Sequence, residues 1–170
     1  MKKFIGFIPA RGGSIRIPNK NLKLYKNKPL IFYSINASKK SKHISETVVF
    51  SNSKKINLKA KKYGAIINYK RPNNKSKSNT SMFETLDYFI NKNNLKKKYD
   101  YVVLLQPTSP LRNFKDIDNA CKLILSKKKA DGLVSTFLIN NIKKNYPDKF
   151  IFEKKGYLKK ISRINIKYFK

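Results

Sequence analysis

Short apolar runs alternate with helix-period segments along most of this chain, and that alternation constrains its fold more than any other feature. Strand-like runs fall at residues 4–9, 47–51, 65–69, 101–106 and 132–137. Four are short and mainly apolar or β-branched, as strands covered on both faces tend to be; 65–69 is short and mixed. Helical periodicity fills the gaps at 29–40, 54–63, 80–93 and 114–128. Leu30, Tyr33, Ser34 and Ala37 share one face of the first helix, and Ile117, Ala120, Cys121, Ile124 and Leu125 share one face of the last. Strand and helix in alternation predict βαβ units. The expected class is α/β, with a mainly parallel twisted sheet and helices on both faces.

Local signals sharpen the boundaries. Pro29 opens the first helix, Asn79 or Thr80 is expected to cap the third, and Gly64 stands where a left-handed C-terminal cap belongs. The segment 70–79, rich in Asn, Lys and Ser, reads as a site loop between a strand and a capped helix. Beyond Asn140 the pattern changes. Residues 149–153 and 157–161 flank Lys154-Lys155-Gly156 as a β-hairpin. The expected division is a nucleotide-binding α/β domain over 1–140, with 141–170 an incomplete extension of the same domain.

Composition narrows the partners. Forty basic against nine acidic residues give a net charge of +31. The lysines are scattered along every segment, whereas arginine, the better reader of phosphates and bases, occurs five times. Solvated surface is therefore favoured over a nucleic-acid interface, which no nucleic-acid motif supports. No apolar run is as long as a membrane span, and the single cysteine, Cys121, has no internal disulfide partner. A cytoplasmic setting without membrane association is expected. His43 is the one histidine and lies among lysines, so no histidine-based triad or zinc spacing exists.

The chemistry is expected at the first strand's end. The apolar run breaks at Pro9 into Ala10-Arg11-Gly12-Gly13-Ser14 and continues to Pro18-Asn19-Lys20-Asn21. Small residues leave backbone N–H groups able to face a phosphate, and Arg11 and Lys20 supply neutralising charge. The loop has neither the P-loop pattern nor the dinucleotide glycine fingerprint. A second corner, Gln106-Pro107-Thr108-Ser109-Pro110-Leu111-Arg112, follows the strand at 101–106. In an open α/β sheet, ligands bind outside the carboxyl ends of strands, where both corners fall.

Ile8-Pro9-Ala10-Arg11-Gly12-Gly13-Ser14, running on to Lys20-Asn21, resembles the opening motif of the acylneuraminate cytidylyltransferase family, I-P-A-R-x-G-S-K-x-x-x-x-K-N. Ile15 stands where the family has lysine. Gln106 to Arg112 matches the family's L-Q-P-T-S-P-L-R segment, and Arg71-Pro72 with Asn79-Thr80-Ser81 matches a third in order and spacing, Asn79 replacing the usual aspartate. The resemblance implies a nucleotide-diphospho-sugar transferase-like fold. It also implies transfer of CMP from CTP to a nonulosonic (sialic-type) acid, releasing pyrophosphate, with Mg²⁺ as cofactor.

Under that resemblance Arg11 and Lys20 are the catalytic cations. Ala10, Gly12, Gly13, Ser14, Asn21, Arg71 and Ser81 join Arg11 around the nucleotide, and Gln106, Thr108, Ser109 and Arg112 face the acceptor sugar. The family's metal-binding aspartates lie beyond stretches that do not occur in these 170 residues. The motif order covers roughly three quarters of the family pattern. The expectation is a C-terminally truncated chain whose metal ligands are unassigned, Asp116 and Asp131 included, and for which a homodimer stays open. Three competing readings remain: another sugar nucleotidyltransferase, a CTP- or CMP-binding module without chemistry, and a basic nucleic-acid binder.

Overall fold

The computed structural model describes residues 2–14 and 16–135, together with the backbone of 151–154 and 157–160. The chain divides into two compact units, Met1–Leu133 and Val134–Lys170. In the first, strands β1 (Phe4–Pro9), β4 (Ile44–Phe50) and β5 (Tyr101–Leu104) form a parallel sheet in the order β4-β1-β5. Helix α1 (Leu30–Lys40) lies in the β1–β4 crossover, α2 (Lys54–Lys62) and α3 (Met82–Lys92) lie in the β4–β5 crossover, and α4 (Phe114–Ser126) follows β5.

The central strand is buried at every position because both of its faces are covered. Phe4 and Ile8 point to one face, where they join Ile31 and Ile35 of α1, Ile56 and Ala60 of α2, and Ile117 and Cys121 of α4. Ile5 and Phe7 point to the other face and meet Phe89 of α3 with Val48 and Phe50 of β4. Phe89 packs at ring-centroid distances of 4.5 Å from Phe7, 5.2 Å from Phe50 and 5.4 Å from Tyr69. Burying one such ring is worth about 1.5–3 kcal/mol, so this cluster anchors α3 on its own face of the sheet. Gly6 lets α1 approach closely: a Cβ there would lie 2.3 Å from Ser38 Oγ.

Helix ends follow their local chemistry. Ser81, rather than Asn79 or Thr80, caps α3. Its hydroxyl accepts from Glu84 N, and the Glu84 carboxylate accepts from Ser81 N, a reciprocal box that needs an acid three residues on. Asn79 and Thr80 have Met82 and Phe83 in that place. Asn113 and Asp116 form the same box on α4. Gly64 takes φ 78°, its N–H donating to Lys61 O while Ala65 N donates to Ala60 O, and so closes α2 as expected.

Three expectations shift. The segment 65–69 forms no ladder: Ile66 bridges Val48 of β4, and the next bridge, Ser51↔Lys70, lies one residue beyond both β4 and the segment. Four steps on one side oppose three on the other, and the extra residue breaks the pairing as a bulge does. Pro29 is the N-cap of α1 instead of its first residue, because it pairs in a small hairpin of β2 (Leu24–Tyr25) and β3 (Lys28–Pro29). Lys26 and Asn27 turn that hairpin with positive φ of 45° and 60°. In the segment expected as a strand at 132–137, residues 132–135 are irregular and the rest lies outside the described residues. In the second unit, β6 (Ile151–Lys154) pairs antiparallel with β7 (Tyr157–Lys160), as the hairpin reading predicted.

Candidate active site

A cleft of about 680 Å³ opens at the carboxyl ends of β1 and β5. The Arg11 loop and the Gln106 corner line it together, joined by the 71–85 region. Five cationic side chains, Arg11, Arg16, Lys20, Arg71 and Lys77, reach its wall, and among the described residues no carboxylate does. Such a wall suits an anion with several charges.

Backbone chemistry fixes the first loop. Ala10 is buried and donates its N–H to Phe50 O at 3.1 Å, carrying the chain off β1. Gly12 N donates to Asn52 Oδ1 at 3.0 Å, and a Cβ on Gly12 would stand 3.0 Å from Ser53 Cβ, so this glycine is turned towards the β4–α2 connection. Ser14 N donates to Gly12 O at 3.2 Å. Three of the loop's N–H groups, those of Ala10, Gly12 and Ser14, are therefore engaged inside the protein. Gly13 stands in open space, with nothing within 4 Å of a Cβ built on it. Asn19 turns with φ 53° into a short 3₁₀ turn, Lys20–Leu22, which delivers Lys20 and Asn21 to the cleft. Asn21 is 5 % exposed and donates Nδ2 to Arg11 O at 3.1 Å, bracing the loop it faces.

The two arginines are anchored on consecutive carbonyls of one turn. Arg11 Nη1 donates to Ser76 O at 3.4 Å, while Arg71 donates Nε and Nη2 to Lys75 O at 2.9 and 2.6 Å. Burial, and secondarily the charge of Arg11, hold the Arg71 pKa below the ordinary guanidinium value. Asn52 adds a bridge between the loops, its Nδ2 donating to Asn73 Oδ1 at 3.1 Å.

The remaining expected residues divide. Gln106 and Thr108 line the cleft; Ser109 and Arg112 do not. Ser81 sits at the head of α3 with its hydroxyl engaged in the cap, between Thr80 and Met82, which do line the cleft. Sequence reasoning missed Arg16, Lys77, Thr85 and Asn52. Asn52 follows a parallel strand, where a ligand corner is expected, and that position was the available signal. Thr85 carried none, because a threonine one turn into a helix is commonplace.

The cytidylyltransferase family model matches residues 5–168. The chain belongs to the cytidylyltransferase family. Among curated members it is 35% identical over 122 residues to a CMP-N,N'-diacetyllegionaminic acid synthase of Legionella pneumophila, covering 71% of this chain and 53% of that one. It is 40% identical over 118 residues to a pseudaminic acid cytidylyltransferase of Campylobacter jejuni, covering 68% and 50%. The chain thus spans about half the length of these relatives, less than the three quarters that the motif order implied. Among solved structures, a CMP:2-keto-3-deoxy-manno-octonic acid synthetase complexed with CTP superposes with a TM-score of 0.60 at 20% identity, covering 75% of this chain and 49% of that one. A cytidylyltransferase from Leptospira borgpetersenii gives 0.60 at 22%, covering 76% and 51%. Both establish the α/β fold of this cytidylyltransferase chain. Among its described residues, no helix is long and apolar enough to cross a membrane.

Proposed function

We propose that this chain binds CTP in the described cleft and carries the nucleotide half of a CMP transfer to a nonulosonic acid. The observation that supports the reading most is the convergence of Arg11, Lys20 and Arg71 with the Gln106–Thr108 corner on one cleft whose described lining holds no carboxylate. Arg11, Lys20 and Arg71 neutralise the triphosphate, and Asn21, whose remaining amide atoms include an acceptor, faces the base. Gln106 and Thr108 meet the acceptor sugar.

In the reaction, the anomeric hydroxyl oxygen of a nine-carbon 2-keto sugar acid bonds to the α-phosphorus. The bond from that phosphorus to the bridging oxygen breaks, the hydroxyl proton is lost and pyrophosphate leaves. Phosphoryl-type transfer relies on alignment and charge neutralisation, which these side chains supply. Lys20 and Arg11 offset charge developing on the leaving pyrophosphate. The described residues offer neither a carboxylate nor an imidazole in the cleft lining, so no general base is assigned.

The family also implies Mg²⁺. The described residues do not fit a protein-held ion: among them no group of three His, Cys, Asp or Glu could hold a metal, and Asp116 is engaged in the α4 cap. No step is routed through a metal.

Calorimetry with CTP tests the binding half of the reading, and pyrophosphate release with a nonulosonic acid tests the chemical half. Arg11→Ala should weaken CTP binding roughly thirtyfold, the equivalent of losing a charged hydrogen bond of about 2 kcal/mol. Heat from CTP without pyrophosphate release would leave a binding module. Oligonucleotide binding that survives excess CTP would point to the nucleic-acid reading instead.

A further inference from the structure

Arg71 is an unusual cation for so basic a protein. The residue is 6 % exposed, and among the described residues no carboxylate is one of its hydrogen-bond partners. A guanidinium has five N–H donors in a planar fork. Nε and one Nη2 hydrogen close on Lys75 O at 2.9 and 2.6 Å, and the second Nη2 hydrogen reaches Thr85 Oγ1 at 3.2 Å. Among the described residues Nη1 has no protein partner, and Arg71 lines the cleft.

Thr85 holds the remaining Nη2 hydrogen of that fork. It is fully buried, and its hydroxyl donates its one proton to Ser81 O at 2.9 Å, one turn earlier in the helix start. Towards Arg71 the oxygen is therefore an acceptor only. Lys75 O and Thr85 Oγ1 are both neutral, and the charge that acts on Arg71 is the like charge of Arg11. A buried cation held by dipoles alone is poorly compensated, and an anion entering the cleft completes it.

We propose that Thr85 is a positioning residue, whose hydroxyl fixes the buried Arg71 guanidinium with its Nη1 edge presented to the cleft as a seat for a polyphosphate chain. The inference rests on the CTP reading for the identity of the anion, and its test is built to separate the two. Wild type, Thr85→Val and Thr85→Ser are titrated with tripolyphosphate, CTP and cytidine, with folding checked by circular dichroism and thermal unfolding.

Thr85→Val keeps the shape and removes the hydroxyl. It should weaken tripolyphosphate and CTP about tenfold, the scale of one hydrogen bond to a charged group, and leave cytidine unchanged. Thr85→Ser restores the hydroxyl and should return affinity to within about twofold of wild type. Equal polyphosphate affinity in wild type and a folded Thr85→Val overturns the inference, as does Thr85→Ser binding as weakly as Thr85→Val. If Thr85→Val does not fold, Thr85→Ala in wild-type and Arg71→Lys backgrounds makes the same comparison. The loss should vanish in the Arg71→Lys background, and its persistence there overturns the proposal. Tripolyphosphate binding that depends on Thr85, with no binding of CTP, would remove the CTP reading and leave the seat in place. Binding of neither ligand by wild type overturns both.

Discussion

The carbonyl of Gln106 accepts a hydrogen bond from Arg112 Nη2 at 3.2 Å. The same oxygen accepts from Ser34 Oγ at 3.2 Å and from Ser109 N at 3.2 Å, while Arg112 Nη2 also reaches Ser34 Oγ at 3.0 Å. None of these donors lines the cleft, whereas Gln106 does. Arg112, expected beside the acceptor sugar, thus holds the corner that Gln106 presents.

Loosening that corner should separate the two substrates. Ser34→Ala removes a buried hydroxyl that both donates and accepts, costing about 1–2 kcal/mol in urea unfolding. Under the proposed CMP transfer, Arg112→Ala should raise the KM for the sugar acid more than the Kd for CTP, because Arg11, Lys20 and Arg71 sit on other loops. An equal loss for both ligands would argue against this division.

Gly6 of β1 and Gly13 of the first motif should respond differently to a methyl group. Gly6→Ala places a methyl 2.3 Å from Ser38 Oγ, which is itself bonded to Thr47 Oγ1 at 2.8 Å, so stability should fall by about 1–3 kcal/mol. Gly13→Ala meets nothing within 4 Å and should leave stability within about 0.5 kcal/mol of wild type. If Gly13 backbone approaches the phosphates, CTP affinity alone should drop. Thermal melts and CTP titrations of the two variants check both outcomes.

Cys121 should be chemically quiet. Burial, and secondarily the charge of Asp118, push its thiol up to about 11, so little thiolate exists at neutral pH. Alkylation by iodoacetamide should run roughly a hundredfold slower in the native protein than after unfolding. Comparable rates in the two states would show the site to be open.

Asp100 should contribute an acid-sensitive part of the stability. The Lys2 ammonium at 2.7 Å and the Lys3 N–H at 2.8 Å hold its carboxyl below the ordinary value of 3.8. A depressed folded pKa means the contribution is complete above about that ordinary value and is lost as the pH falls through the lower, folded one. Asp100→Asn should lower the melting temperature at neutral pH and bring it closer to wild type in acid. A constant difference across the range would refute the linkage.

Much of the fold was legible because its signals are local. The four helices lie within a few residues of their expected limits, since period, capping box and Gly64 each act within one or two turns. The misses were of another kind. Pairing of 65–69 fails through a one-residue mismatch with β4, and the 24–29 hairpin depends on two left-handed residues, Lys26 and Asn27, neither of which is glycine. Within the site, the motif residues at 11, 14, 20, 21, 71, 106 and 108 reach the cleft, while Gly12, Ser109 and Arg112 are turned to internal partners.

The amino-acid order alone determined the family, the strand–helix alternation and the two corners at strand ends, because each is encoded in contiguous residues. Only the tertiary structure decided how hydrogen bonds are shared among those residues. Arg11 is anchored by Ser76, sixty-five positions away, Arg112 by Ser34, seventy-eight away, and Arg71 is aimed by Thr85 from a helix packed on the opposite face from α1. A side chain's role depends on which of its donors remain free after such long-range partners have taken theirs. That allocation exists only once the segments are packed together.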